Sequence, residues 1–139
     1  MGPAARGCAA SRWADEDAVG SSFIDYRGKG FWSRDAFIEE FLRALADATA
    51  TLPAEDWLCD AAAHWRLQGA GHFNGWVHPC FDEHLSTEDR RASIVRLIDI
   101  VRTRPDATDY LRQTCDLAER LLNGELATDA SSPLDYMVG

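Results

Sequence analysis

The sequence predicts an all-α protein, a single-domain bundle of about four amphipathic helices with one long loop between helices two and three. Three observations carry that expectation. Apolar residues recur at helical spacing in four separate stretches, each with a start or stop signal. No stretch shows the convincing apolar–polar alternation of a half-buried strand. At 139 residues the chain is long enough for one domain with a real core and too short for two comfortable ones.

Residues 1–22 are rich in Ala, Gly and Ser and show no period, so they read as a flexible tail ahead of a helical domain over 23–125. The lead-in "FIDYRGKGFW" has room for a short extended piece and a turn at Gly28 and Gly30, with its aromatics tacking it onto the core. The first helix is expected over 33–50, capped by Ser33, with Asp35 in the first turn and Phe37, Ile38, Phe41, Leu42, Leu45 and Ala48 on one face. The second opens at Pro53, carries Trp57, Leu58, Ala61, Ala62 and Trp65 inward, and ends at Gly69. Residues 69–85 break the pattern with three glycines and Pro79, and form the long loop. The third helix is capped by Ser86 with Asp89, or alternatively by Thr87. Its stripe is Ile94, Leu97, Ile98 and Val101, and Pro105 stops it. The fourth opens at Thr108 or Asp106, buries Leu111, Thr114, Cys115, Ala118, Leu121 and Leu122, and meets Gly124 just past its end. Residues 126–139 read as a loop and tail in which Leu134, Tyr136 and Met137 have the chance to pack back.

Charge narrows the function. The formal net charge is −9, a balance that repels phosphate backbones and argues against nucleic-acid binding. The distribution is uneven: from Asp47 to Asp89 there are eight acids and one base, Arg66, whereas from Arg90 to Arg104 there are five arginines and one acid, Asp99. An acidic surface beside a basic helix is the expectation. No apolar run approaches the roughly 18 to 20 residues needed to span a bilayer. The N-terminal stretch lacks the apolar segment of a signal peptide, and Arg6 breaks the myristoylation pattern, so a soluble cytoplasmic protein is expected. In that setting the four cysteines, Cys8, Cys59, Cys80 and Cys115, read as free thiols, with Cys59 and Cys115 as small core residues.

The stretch "HFNGWVHPCFDEH" at 72–84 concentrates the chemistry. A turn of helix over "PCFDEHL" would put Cys80 and His84 on one face, with His78 before it and His72 looping back, a chemically sound zinc set of one thiolate and three imidazoles. Its spacing matches no standard pattern: HExxH is absent and Glu83 stands where PCxxC needs cysteine. The bland reading is that Phe81 and Leu85 plug the core and no cofactor is bound. A Cys–His nucleophile, from Cys80 between His78 and His84 or Cys59 near His64, has no local signature. The turn "RGKG" lacks the phosphate-loop pattern, leaving Ser33 and the following helix start as an anion alternative.

The leading expectation is a non-catalytic binding protein whose acidic surface meets a basic protein partner. Charge and loop position select Trp76, Asp82, Glu83, Glu88 and Asp89, extended by Glu55 and Asp56; Trp76 is the candidate exposed anchor. In size, acidity, helical build and the stretches "GKGFWSRD" and "GWVHPCFDEHLSTEDRR", the chain resembles the small acidic immunity proteins of bacterial toxin systems. Those proteins bind and block a toxin, often a nuclease, and share no single fold. The resemblance implies a toxin domain as the basic partner. The alternatives are a small metal-dependent hydrolase using His72, His78, Cys80 and His84, with Glu83 as base, and a structural subunit that homodimerises through an apolar helix face.

Overall fold

The computed structural model describes residues 20–72 and 76–126, and it corrects the all-α expectation. Among the described residues the chain forms five α-helices, a short 3-10 turn and a two-stranded antiparallel sheet, a mixed α/β fold.

The sheet is a hairpin of β1 (Ser21–Tyr26) and β2 (Lys29–Arg34), paired from Ser21↔Arg34 to Tyr26↔Lys29. Only Arg27 and Gly28 join the strands. Both have positive φ, 53° and 83°, as the tight turn that matches strand twist requires. Arginine in that conformation is strained, and the Arg27 amide is held by a hydrogen bond to Asp82 Oδ1 at 3.0 Å. The hairpin shows no alternation because both its faces are covered. Ile24, Tyr26 and Phe31 join the main core on one face. On the other, the cross-strand partners Phe23 and Trp32 are also buried, with ring centroids 5.3 Å apart. A near-continuous apolar run hides the period of two.

Helix α1 (Asp35–Ala48) follows β2 directly. Ser33, expected to cap it, is the penultimate residue of the strand, and Arg34 occupies the cap position without a side-chain bond. Asp35 instead accepts a buried hydrogen bond from Ser22 Oγ at 2.6 Å. Ile38, Phe41, Leu42 and Leu45 face the core, while Phe37 turns aside and stacks on Tyr110 at 4.3 Å.

A 3-10 turn (Thr49–Thr51) leads to α2 (Asp56–Gln68), three residues later than the Pro53 start predicted. Leu58, Ala61, Ala62 and Trp65 are buried on its inner face; Cys59, expected there, is exposed. Helix α3 (Phe81–His84) is the single turn foreseen within the long loop, and Cys80 precedes it in a left-handed conformation, φ 52°. Helix α4 (Glu88–Arg102) is capped by Thr87, whose side chain accepts from the Arg90 amide. Helix α5 (Asp109–Leu122) is capped in the same way by Thr108. Its C-terminus closes with two backbone bonds, Glu125 N to Arg120 O and Gly124 N to Leu121 O, around Gly124 at φ 74°. That pairing is the left-handed glycine cap which "LLNG" signals.

Helix α1 packs on α2, α4 and α5, and α4 pairs with α5. Trp65, Phe81, Phe31, Leu42 and Leu97 fill the middle with essentially no exposure. Arg102 ties α4 to α5 by reaching Asp116 and Glu119 at 2.9 and 2.6 Å while also holding Asp99 at 2.6 Å. The tail assigned to 1–22 gives up Ser21 and Ser22 to β1, and Leu126 is buried against the core. The remainder of that tail, the segment beyond 126, and the Phe73–Gly75 part of the loop lie outside the described residues. Among the described residues no helix is long and apolar enough to cross a membrane.

Candidate functional site

The long loop is a strap. After α2 ends, residues 76–80 run back across the hairpin and lock to it. The Val77 amide donates to Ser22 Oγ at 3.0 Å, and Ser22 in turn donates to Asp35. The His78 amide donates to Gln68 Oε1 at 2.9 Å. The His78 ring sits between two partners: Nδ1 accepts from the Cys80 amide at 2.8 Å, so Nε2 carries the proton and donates to Asp25 Oδ1 at 2.7 Å. Trp65 Nε1 donates to the Pro79 carbonyl at 2.8 Å. These bonds satisfy the polar groups that the strap buries.

Beneath the strap lies a second histidine pair. His64 of α2 and His84 of α3 approach to 3.0 Å between Nδ1 and Nε2, and His64 Nε2 lies 3.8 Å from Cys80 Sγ. Cys80 is disulfide-bonded, whereas Cys59 and Cys115 are free, which corrects the expectation of four free thiols. A disulfide sulfur only accepts. The chain of donors therefore runs from His84 Nε2–H to His64 Nδ1, and from His64 Nε2–H toward the sulfur. Burial, with His84's charge second, pushes the His64 ring down to about 4. Burial likewise lowers His84, opposed by Asp60 and reinforced by Arg90. Both rings are held neutral.

This geometry does not fit the zinc set His72, His78, Cys80 and His84. Both His78 nitrogens are committed, Cys80 is in a disulfide, and His84 faces His64. His72 is exposed and lies near Glu39 of α1. Among the described residues no group of three His, Cys, Asp or Glu side chains is arranged to hold a metal ion. The nucleophile reading loses its thiolate at Cys80 for the same reason. The anion alternative at Ser33 fails too: Ser33 is buried within β2, and the helix start beyond it already carries the Asp35 carboxylate.

The acidic residues fall differently. Glu55 and Asp56 begin α2, Asp82 and Glu83 lie in α3, and Glu88 and Asp89 begin α4. Arg90 lies over the Trp57 ring at 5.0 Å, which brings the starts of α2 and α4 together, and the His64–His84 contact brings α3 beside them. Asp60, which sequence reasoning passed over, joins this side one turn along α2 and near His84. The signal was available, since Asp56 and Asp60 are four apart on a helix. Not all the carboxylates are unengaged. Asp82 is bound by the Arg27 amide, Glu88 is gripped through both oxygens by Arg91, and Glu55 Oε1 accepts from Trp57 Nε1 at 3.1 Å. Glu55, Asp56, Asp60, Glu83 and Asp89 are exposed and form no ion pair among the described residues. Trp76 is 48% exposed, as an anchor would be, but it stands by the C-terminal end of α2, next to His78 and Gln68. The two ends of that helix, at Asp56 and Gln68, lie about 18 Å apart.

No family model, curated protein or solved structure matches the chain.

Proposed function

We propose that this chain is a non-catalytic binding protein that presents the acidic starts of α2, α3 and α4 to a basic protein partner, in the manner of small immunity-type proteins. The observation that carries this reading is the group of five exposed carboxylates, Glu55, Asp56, Asp60, Glu83 and Asp89, without cationic partners among the described residues. Acids on the α4–α5 side, by contrast, are paired with Arg102, Arg104 and Arg112. Uncompensated like charges repel one another, so bringing a cationic surface against them relieves that repulsion and speeds encounter. The cations near this face are held back, with Arg90 laid on Trp57 and Arg91 bound to Glu88. A partner therefore meets carboxylates first. A basic toxin domain has the required chemistry.

The test uses the full chain as bait in its own host, followed by titration of the partner recovered. The charge-neutralised triple variant Asp56→Asn, Glu83→Gln, Asp89→Asn is expected to keep its Tm and to lose at least about tenfold in affinity, mostly through slower association. Affinity unchanged in that variant would sink the acidic-face reading. A doubled native mass with no second protein would replace it with a homodimer.

A further inference from the structure

We propose that the cleft between the hairpin turn and the facing ends of α4 and α5 is an oxyanion site that takes a phosphoryl group. The site borders the start of α4 but is opposite in sign to the acidic face, and it does not rest on that reading. The cleft has a volume of about 430 Å³ and is walled by Tyr26, Arg27 and Lys29 of the hairpin, Glu88 and Arg91 of α4, and the Leu121–Gly124 end of α5. That volume lies within the usual range for small-ligand pockets.

Three cationic side chains line this cleft against one carboxylate, in a protein whose overall charge is −9. The carboxylate does not oppose an anion at close range, since both Glu88 oxygens accept from the Arg91 guanidinium. Arg91 is spent on structure, donating also to the Leu122 carbonyl and Asn123 Oδ1. Its bond to Asn123 Oδ1 leaves the Asn123 amide nitrogen as the polar group for the cleft. Arg27 lies over the Tyr26 ring at 4.9 Å, a loose cation–π contact, and its five donors are unspent among the described residues.

The observation that points to a ligand is Tyr26 itself. The residue is 97% buried, and its hydroxyl has no hydrogen-bond partner among the described residues. A buried phenol without a partner costs free energy, so the position is better served by phenylalanine unless something accepts that hydrogen. Arginine, amide and phenol donors around one opening match an acceptor-only group with several oxygens. A tetrahedral phosphate offers more of these than a planar carboxylate.

The experiment is calorimetric titration of the full chain at low ionic strength with inorganic phosphate, a small phosphate monoester and acetate. Phosphate is expected to bind saturably and acetate more weakly. A monoester tighter than inorganic phosphate would identify the source as an organic phosphate, and the reverse order would identify the free ion. Arg27→Asn keeps a residue suited to the left-handed turn and is expected to weaken phosphate binding about tenfold without lowering Tm. Tyr26→Phe is expected to weaken binding while leaving Tm unchanged or higher, because it deletes the orphan hydroxyl. Non-saturable heats, or binding in both variants unchanged from the parent chain, would mean an adventitious ion only and overturn the proposal. So would acetate binding as well as phosphate, or a Tm lowered by Tyr26→Phe.

Discussion

Two imidazoles 3.0 Å apart under the strap make stability depend on acid. His64 titrates at about 4 in the folded chain against an ordinary value near 6.5, and His84 is lowered as well. A base whose folded value is depressed binds its proton more readily in the unfolded chain. Stability is therefore complete above pH 6.5, falls as pH drops below it, and bottoms out for His64 near pH 4. Glu83 and Asp60 nearby soften the effect, and Arg90 and His78 sharpen it. Urea unfolding between pH 7.5 and 4.5 is expected to show this decline, and His64→Gln to flatten it. A second residue-scale expectation concerns Gly30. A β-carbon there would lie 2.4 Å from the Ile24 carbonyl oxygen and 2.6 Å from the Phe23 ring. Gly30→Ala is expected to cost about 1–3 kcal/mol in chemical denaturation, the range for overpacking a tight core. At this scale the sequence was legible in residue type only. The acids could be counted, and the i,i+3 spacing of Glu88 and Arg91 was open to reading, but that Asp82 is consumed by the Arg27 amide depends on a contact 55 residues away.

Elements were more legible where their signals are local. Thr87 and Thr108 cap α4 and α5 through bonds that close within three residues, so both starts were readable within the alternatives weighed. Thr87→Ala and Thr108→Ala are each expected to lose about 1 kcal/mol of unfolding free energy. The hairpin was not readable as a sheet because its evidence is tertiary. Burial on both faces erases alternation, and an Arg–Gly turn lacks the Asn or Asp that advertises this geometry. The start of α2 slipped for a related reason: Pro53 is permitted in a first turn, but permission is not instruction. Between elements, Arg102 is the strongest polar tie. Its removal leaves Asp99, Asp116 and Glu119 facing one another. Arg102→Met is expected to destabilise by about 1 kcal/mol, with the loss smaller in high salt, measured by denaturation at two ionic strengths.

Over the whole molecule, charge separates by region. The starts of α2, α3 and α4 carry carboxylates that form no ion pair among the described residues, and the cleft beside the hairpin turn gathers cations. For the basic partner proposed above, raising ionic strength from 50 to 500 mM is expected to slow association severalfold and leave dissociation little changed, as stopped-flow mixing would show. The charge imbalance was visible in the sequence because it is a sum over residues. Its division into patches was not, since it depends on how the strap lies.

The strap also bears on the order of events during folding. The hairpin and the α1–α2 and α4–α5 pairs join neighbours along the chain, whereas Val77 to Ser22, His78 to Asp25 and Asp82 to Arg27 join residues 55, 53 and 55 apart. Closing such loops costs chain entropy, a cost that the disulfide at Cys80 lowers by holding the strap in the unfolded chain as well. Asp25→Ala is expected to speed unfolding more than it slows refolding, and stopped-flow refolding with the disulfide reduced is expected to be slower than with it intact.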